Sequence, residues 1–252
     1  MVPNSVRLAV GTLTIIPVGP IPEIDRQMAA RAMIMAPVAV LPLALAAGLV
    51  GRSATGIGMP ATLAGLLMVA ALAIGTRALH LDGLADTADG LGSGWSPQRS
   101  LAIMKRGNTG PIGVVTLIVI LAAQAVSFGT LAQTVRGAAA AALAICCSRA
   151  ALAIACRRGV PAARTGGLGV AVAGSVPVPA AVLSWLVVLA AMVSATTMLG
   201  RWWCGPIAVG LAAASVSILV RVCRRRLGGV TGDVMGASIE IALTLLLICL
   251  AV

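Results

Sequence analysis

Three aspartates, Asp82, Asp86 and Asp89, follow closely on His80, the only histidine of the 252-residue chain. Read as a helix, their i, i+4, i+7 spacing puts the carboxylates within about 60° of arc on one face. Like charges so spaced repel, and a divalent cation offsets the repulsion. Oxygen donors with no cysteine nearby suit Mg²⁺ or Mn²⁺. A second acidic pair, Asp233 and Glu240, is spaced i, i+7, and Asp233 is the candidate to meet the first three from another helix. The expected metal set is Asp82, Asp86, Asp89, Asp233 and Glu240. Only Glu23 and Asp25 lie outside these two runs. One acid at a helix end is commonly a solvated cap, whereas three in register near membrane depth point to a site. Gly83, Gly90, Gly232 and Gly236 leave room for another helix or a phosphate to approach. On a continuous helix His80 points about 160° away from Asp82. Its readings are a structural residue satisfied by a neighbour, a phosphate contact or a proton carrier. Lys105 lies in a glycine-rich turn running to Gly113, where backbone N–H groups at a helix start can cradle a phosphate. Arg149, inside an apolar run, pairs with one of the acids or with substrate.

The elements that position these groups are membrane helices. Hydrophobic residues make up 60% of the chain and charged ones only 10%, against about 25% charged in soluble domains; mean hydropathy is +1.06. That excludes an ordinary soluble globule, a disordered chain and a coiled coil. With no Tyr and one Phe, the chain is poorly equipped to stack on nucleic-acid bases, and no nucleic-acid partner is expected. Six cysteines without a CxxC pair, beside one His, give neither a zinc site nor a readable disulfide framework. Uncharged runs of the length a bilayer requires occur at Ala32–Gly51, Ser53–Thr76, Gly107–Val135, Gly137–Cys156 (broken by Arg149), Thr165–Gly200 and Trp202–Val220. Gly232–Val252 carries Asp233 and Glu240 in its first half. Strict two-residue alternation is absent, so the spans are helical. The expectation is an all-α polytopic bundle of about seven transmembrane helices, six to eight allowed, forming a single membrane-embedded domain over residues 1–252. Leu8–Ile21, broken by Pro17 and Pro20, reads as an interfacial or re-entrant piece rather than a cleaved signal.

At this point the residues resemble a known family. His80-Leu-Asp82-Gly83-Leu-Ala-Asp86-Thr-Ala-Asp89-Gly90 is similar to the HxDGxxDxxDG motif of the adenosylcobinamide-GDP ribazoletransferase (cobalamin synthase) family. Gly228-Gly229-Val-Thr231-Gly232-Asp233-Val-Met-Gly236-Ala237-Ser-Ile-Glu240 resembles its GGxTGDxxGAxxE block. Thr14-Ile-Ile-Pro17, Ile103-Met-Lys105 with Gly110-Pro-Ile-Gly113, and Arg149 with Arg157-Arg158 and Arg164 resemble its intervening blocks in the same order. Arg106 departs from the pattern, standing where many members carry an acid. The resemblance implies a Mg²⁺-dependent membrane phosphotransferase. It joins adenosylcobinamide-GDP to α-ribazole or its 5′-phosphate, releases GMP and forms adenosylcobalamin or its 5′-phosphate. It implies catalytic roles for His80, Asp82, Asp86 and Asp89, and substrate contacts for Lys105, Arg149, Arg157, Arg158 and Arg164.

Two other readings share some of these features. A CDP-alcohol phosphotransferase-like enzyme uses clustered aspartates and a nucleotide leaving group, but Asp86 stands where its motif has Arg. A cation or proton transporter lines a pathway with acids, but places them nearer mid-membrane. The basic residues set the orientation. Fourteen of the 18 Lys and Arg fall on the side that holds Arg7, Lys105, Arg164 and Arg224, and three on the other. Positive residues mark the cytoplasmic side, so the acids face the cytoplasm of a multi-pass cell-membrane protein. A reporter fused after Arg164 is therefore expected to read as cytoplasmic and one after Arg136 as external; the opposite pattern refutes this topology.

Overall fold

The computed structural model describes residues 2–21, 23–93 and 95–252. Within them the chain forms α1 (Asn4–Leu13), α2 (Arg26–Ala39), α3 (Leu41–Gly56), α4 (Ala61–Gly75), α5 (Leu79–Ser93), α6 (Pro97–Ile103) and α7 (Pro111–Ala132). The second half holds α8 (Val135–Ser148), α9 (Ala151–Ala155), α10 (Leu168–Val172), α11 (Val178–Met198), α12 (Cys204–Arg226) and α13 (Gly232–Ala251). No β-strand forms among the described residues; two isolated parallel bridges join Arg157 to Val176 and Ala162 to Val230.

Among the described residues, six segments are long and apolar enough to cross a bilayer: Arg26–Gly56, Pro111–Ala132, Val135–Ala155, Val178–Met198, Cys204–Arg226 and Gly232–Ala251. The expected second span, Ser53–Thr76, takes a different form. Gly58 and Pro60 break it after α3, and only 15 residues remain as α4. The chain then turns through 92° into α5, so this pair makes a seventh crossing at most.

Burial separates centre from periphery. Over an 18-residue apolar stretch of each, 89% of Val135–Ala155 and 72% of Gly232–Ala251 is buried, against 22% of α11 and 33% of α7 and of α12. The first two form the core and the others present apolar faces outward. Small residues make the centre possible, because in lipid the helices gain by close van der Waals approach rather than by leaving water. Ala138, Ala141, Ala144 and Ala151 line the buried face of α8 and α9. The break between these helices frees carbonyls, and the indole N–H of Trp185 on α11 donates to that of Ala150 at 3.1 Å.

The α4–α7 pair is the closest approach. A Cβ on Gly65 would overlap the carbonyl of Ala125, and one on Gly129 would overlap that of Ala61. Gly210, on an outward face of α12, has nothing near it. Gly65→Leu should therefore separate α4 from α7 and markedly lower the melting temperature in detergent. Gly210→Ala should leave it unchanged or raise it slightly, since Ala is the better helix former by about 1 kcal/mol. Equal tolerance at both positions would rule out the backbone contact.

Candidate active site

The acids are carried into place by the corner between α4 and α5. Arg77 and Ala78 take left-handed φ of 55° and 53°, the only described non-glycine residues with positive φ. Each costs roughly 1–2 kcal/mol, so the surroundings must hold the corner. The N–H of Ile15 donates to the Gly75 carbonyl freed at the end of α4, at 2.7 Å. The guanidinium of Arg77 donates to the Gly11 carbonyl at 3.0 Å.

Beyond the corner α5 crosses α13 backbone to backbone. A Cβ on Gly83 would lie 2.7 Å from the Asp233 carbonyl oxygen and 2.9 Å from its Cα. Three residues along, one on Gly236 would lie 3.1 Å from the Cα of His80. This crossing brings exposed Asp82 and half-buried Asp86 into the electrostatic surroundings of Asp233. The Asp233 carboxylate also receives the Thr231 hydroxyl at 3.1 Å and meets the Arg164 guanidinium at 3.3 Å. Thr231 caps α13 by accepting from the Val234 N–H.

Arg164 is held over this helix start by its own loop. The N–H of Ala163 donates to Val230 O, and that of Val230 to Pro161 O, both at 2.9 Å. Upstream, the N–H of Arg158 donates to Val176 O. The result is a cleft of about 290 Å³, at the low end of the range for small-molecule sites. Arg164, Gly166, Gly167, Thr231, Gly232 and Asp233 contribute to its walls.

Two members of the expected metal set lie elsewhere. Asp89 is buried, and its carboxylate accepts from the N–H groups of Gly110 at 2.6 Å and Gly113 at 2.9 Å. The anion at the start of α7, expected to be a substrate phosphate held beside Lys105, is this side chain. The helix N-terminus favours any negative charge, and here the protein supplies one from α5. Glu240 faces inward. It accepts from the Gln124 amide at 2.8 Å, stands 3.8 Å from His80 Nδ1, and lies within electrostatic reach of Arg149. Gln124 also donates to Thr244. Sequence reasoning missed Gln124; an amide deep in an apolar run was the available signal. Among the described residues, no group of three His, Cys, Asp or Glu side chains stands close enough to hold a metal ion by itself.

The remaining candidates divide by depth. Arg149 is buried at 1% exposure, donating to Ile145 O and the Ser148 hydroxyl, and does not line the cleft. Both ring nitrogens of His80 and the Nε of Arg149 are without hydrogen-bond partners. Lys105 and Arg158 are exposed, and Arg157 is half-buried on the loop that carries Arg164. Arg226, at the end of α12, donates to the Leu91 carbonyl at 2.6 Å and so braces the last turn of α5.

The chain matches the family model described as cobalamin-5-phosphate synthase over residues 5–251. It is 44% identical over 245 residues to the adenosylcobinamide-GDP ribazoletransferase of Nocardioides sp., covering 97% of each chain. The proteins of the same name from Frankia casuarinae and Bradyrhizobium diazoefficiens are 35% and 36% identical. Those matches cover 98% and 92% of this chain, and 94% and 86% of theirs. No solved structure matches it. The acids, the cleft and an end-to-end match agree: this membrane-helical chain belongs to the cobalamin-5-phosphate synthase family.

Proposed function

We propose that the protein joins adenosylcobinamide-GDP to α-ribazole, or to its 5′-phosphate, with release of GMP. The observation that carries this reading is the identity to a transferase of that name along 97% of both chains. Similarity of that extent favours neither a phospholipid-forming enzyme nor a transporter. In the reaction a ribose hydroxyl forms a bond to the phosphorus nearer the cobinamide. The bond from that phosphorus to GMP breaks, GMP leaves with the electron pair, and the hydroxyl proton is released. The product is adenosylcobalamin or its 5′-phosphate.

The cleft suits a diphosphate. Arg164 offers a planar fork of donors that matches phosphate oxygens, and its pairing with Asp233 holds it there before substrate arrives. Lys105 and Arg158 are exposed and Arg157 is half-buried; none of the three lines the cleft. Asp82, Asp86 and Asp233 are hard oxygen donors crowded by one another's charge. They fit a Mg²⁺ ion bound in its usual manner, by one or two carboxylates with substrate oxygens and water completing the shell. When bound, the ion neutralises phosphoryl charge and stabilises departing GMP. The basic-residue asymmetry supports a cell-membrane protein with this cleft facing the cytoplasm.

GMP release on mixing the two substrates tests the reaction, and full activity in excess EDTA would exclude the metal. Asp82→Asn, Asp86→Asn and Asp233→Asn should each lower turnover by at least about a hundredfold, the scale of losing one strong transition-state contact, with partial recovery at high Mg²⁺ or Mn²⁺. Asp25→Asn, at the cap of α2, should turn over normally.

Asp89→Asn should behave differently. An amide cannot replace a charged acceptor of two buried N–H groups, so stability should fall by about 1–3 kcal/mol. Added metal should not restore it. Thermal unfolding of the metal-free proteins checks this: Asp86→Asn should melt no lower than wild type, because it relieves repulsion, and Asp89→Asn should melt clearly lower. The reverse order would remove Asp89 from the capping role.

A further inference from the structure

Beside the cleft lies a second, apolar recess that the phosphate chemistry does not use. Cleft and recess share Leu79, Gly169 and Gly232 as common walls, so one molecule can occupy both. Leu13, Met33, Val172, Met235 and Ile239 give the recess its apolar lining. Its polar members are Thr12 and His80. The Thr12 hydroxyl already donates to Leu8 O at 2.7 Å. His80 is 3% exposed and neither ring nitrogen has a hydrogen-bond partner. A buried imidazole without a partner is costly, and a ligand that pairs with it removes that cost.

Resting on the transferase reading above, we propose that this recess binds the benzimidazole base of α-ribazole, with His80 donating to the ring nitrogen that does not carry the ribose. The open volume is about 80 Å³. At a share of about 30 Å³ per water that is room for roughly three waters, so a two-ring base would fill the recess and reach the wall it shares with the cleft. The polarity also discriminates. A dimethylbenzimidazole presents two methyls, a flat apolar ring and a single acceptor, which match the lining and the one available imidazole. Guanine and adenine, carried by the other substrate, present several donors and acceptors each. Most of these would be buried without partners, and that is how a site rejects a ligand most strongly. With the base in the recess, the ribose stands at the shared wall and its hydroxyls open onto the cleft beside Asp233. His80 then selects and orients the acceptor substrate and takes no part in the diphosphate chemistry.

The full-length protein in detergent or nanodiscs tests this in two ways. In the first, wild type is irradiated with an α-ribazole analogue bearing an azide on its benzenoid ring. Label should fall on peptides containing Met33, Val172 or Met235, with protection by α-ribazole and not by GMP. Label elsewhere, or protection by GMP alone, overturns the assignment without depending on any variant. In the second, Val172→Phe fills the recess and His80→Gln alters the donor. Each should raise the KM for α-ribazole at least about tenfold while the KM for adenosylcobinamide-GDP stays within about twofold. Unchanged α-ribazole KM, or equal changes in both constants, refutes the subsite. Should wild type release no GMP from the two substrates, the transferase reading itself fails; GMP release with label outside the recess sinks the subsite alone.

Discussion

Bringing two acidic helices into backbone contact is the constraint from which the rest of the site follows. Gly83 and Gly236 lie three or fewer residues from Asp86, Asp82 and Asp233, and each faces the main chain of the opposite helix. With side chains of ordinary size the axes would stand some 8–10 Å apart, and the carboxylates would disperse across the surface. Two braces tie α5 to the other helices around it. Asp89 ties α5 to the start of α7, and Arg226 holds its last turn from α12.

The braces obey the rule that polar groups in an apolar surrounding must find partners. Each is made of groups that would otherwise be orphaned: the first amides of α7 and the last carbonyls of α5. A helical membrane protein has few such groups to use, because its backbone is satisfied within each span. Helix ends and breaks are where they become available. That explains why the candidate site groups gather at the start of α13 and just after the corner before α5, rather than along the middles of the spans.

The residue pattern predicted part of this arrangement. The i, i+4 spacing of Asp82 and Asp86 places them on one face, and Asp233 lies within electrostatic reach of both from another helix. Asp89 shares that face, yet spacing on one helix is silent about what stands opposite. Its partners are amides some 20 residues downstream, and a carboxylate satisfies an N–H pair as readily as a cation. Glu240 shares a face with Asp233 for the same reason, but seven residues of helix displace it by about 10 Å along the axis. Depth, not face, assigns it to Gln124 and His80. The corner at Arg77 and Ala78 was hidden because neither residue is Gly or Pro. Hydropathy alone therefore ran Ser53–Thr76 together as one span.

The brevity of α4 has a mechanical consequence for the membrane. Fifteen residues rise about 22 Å, well short of a hydrocarbon core of about 30 Å. A bilayer meeting so short a helix thins locally, at a cost of a fraction of a kcal/mol per ångström. With such thinning, the 92° turn that ends α4 would set the start of α5 below the general level of the headgroups. Thinning of this kind would let water reach the carboxylates of α5 while the lipid farther out keeps its ordinary thickness.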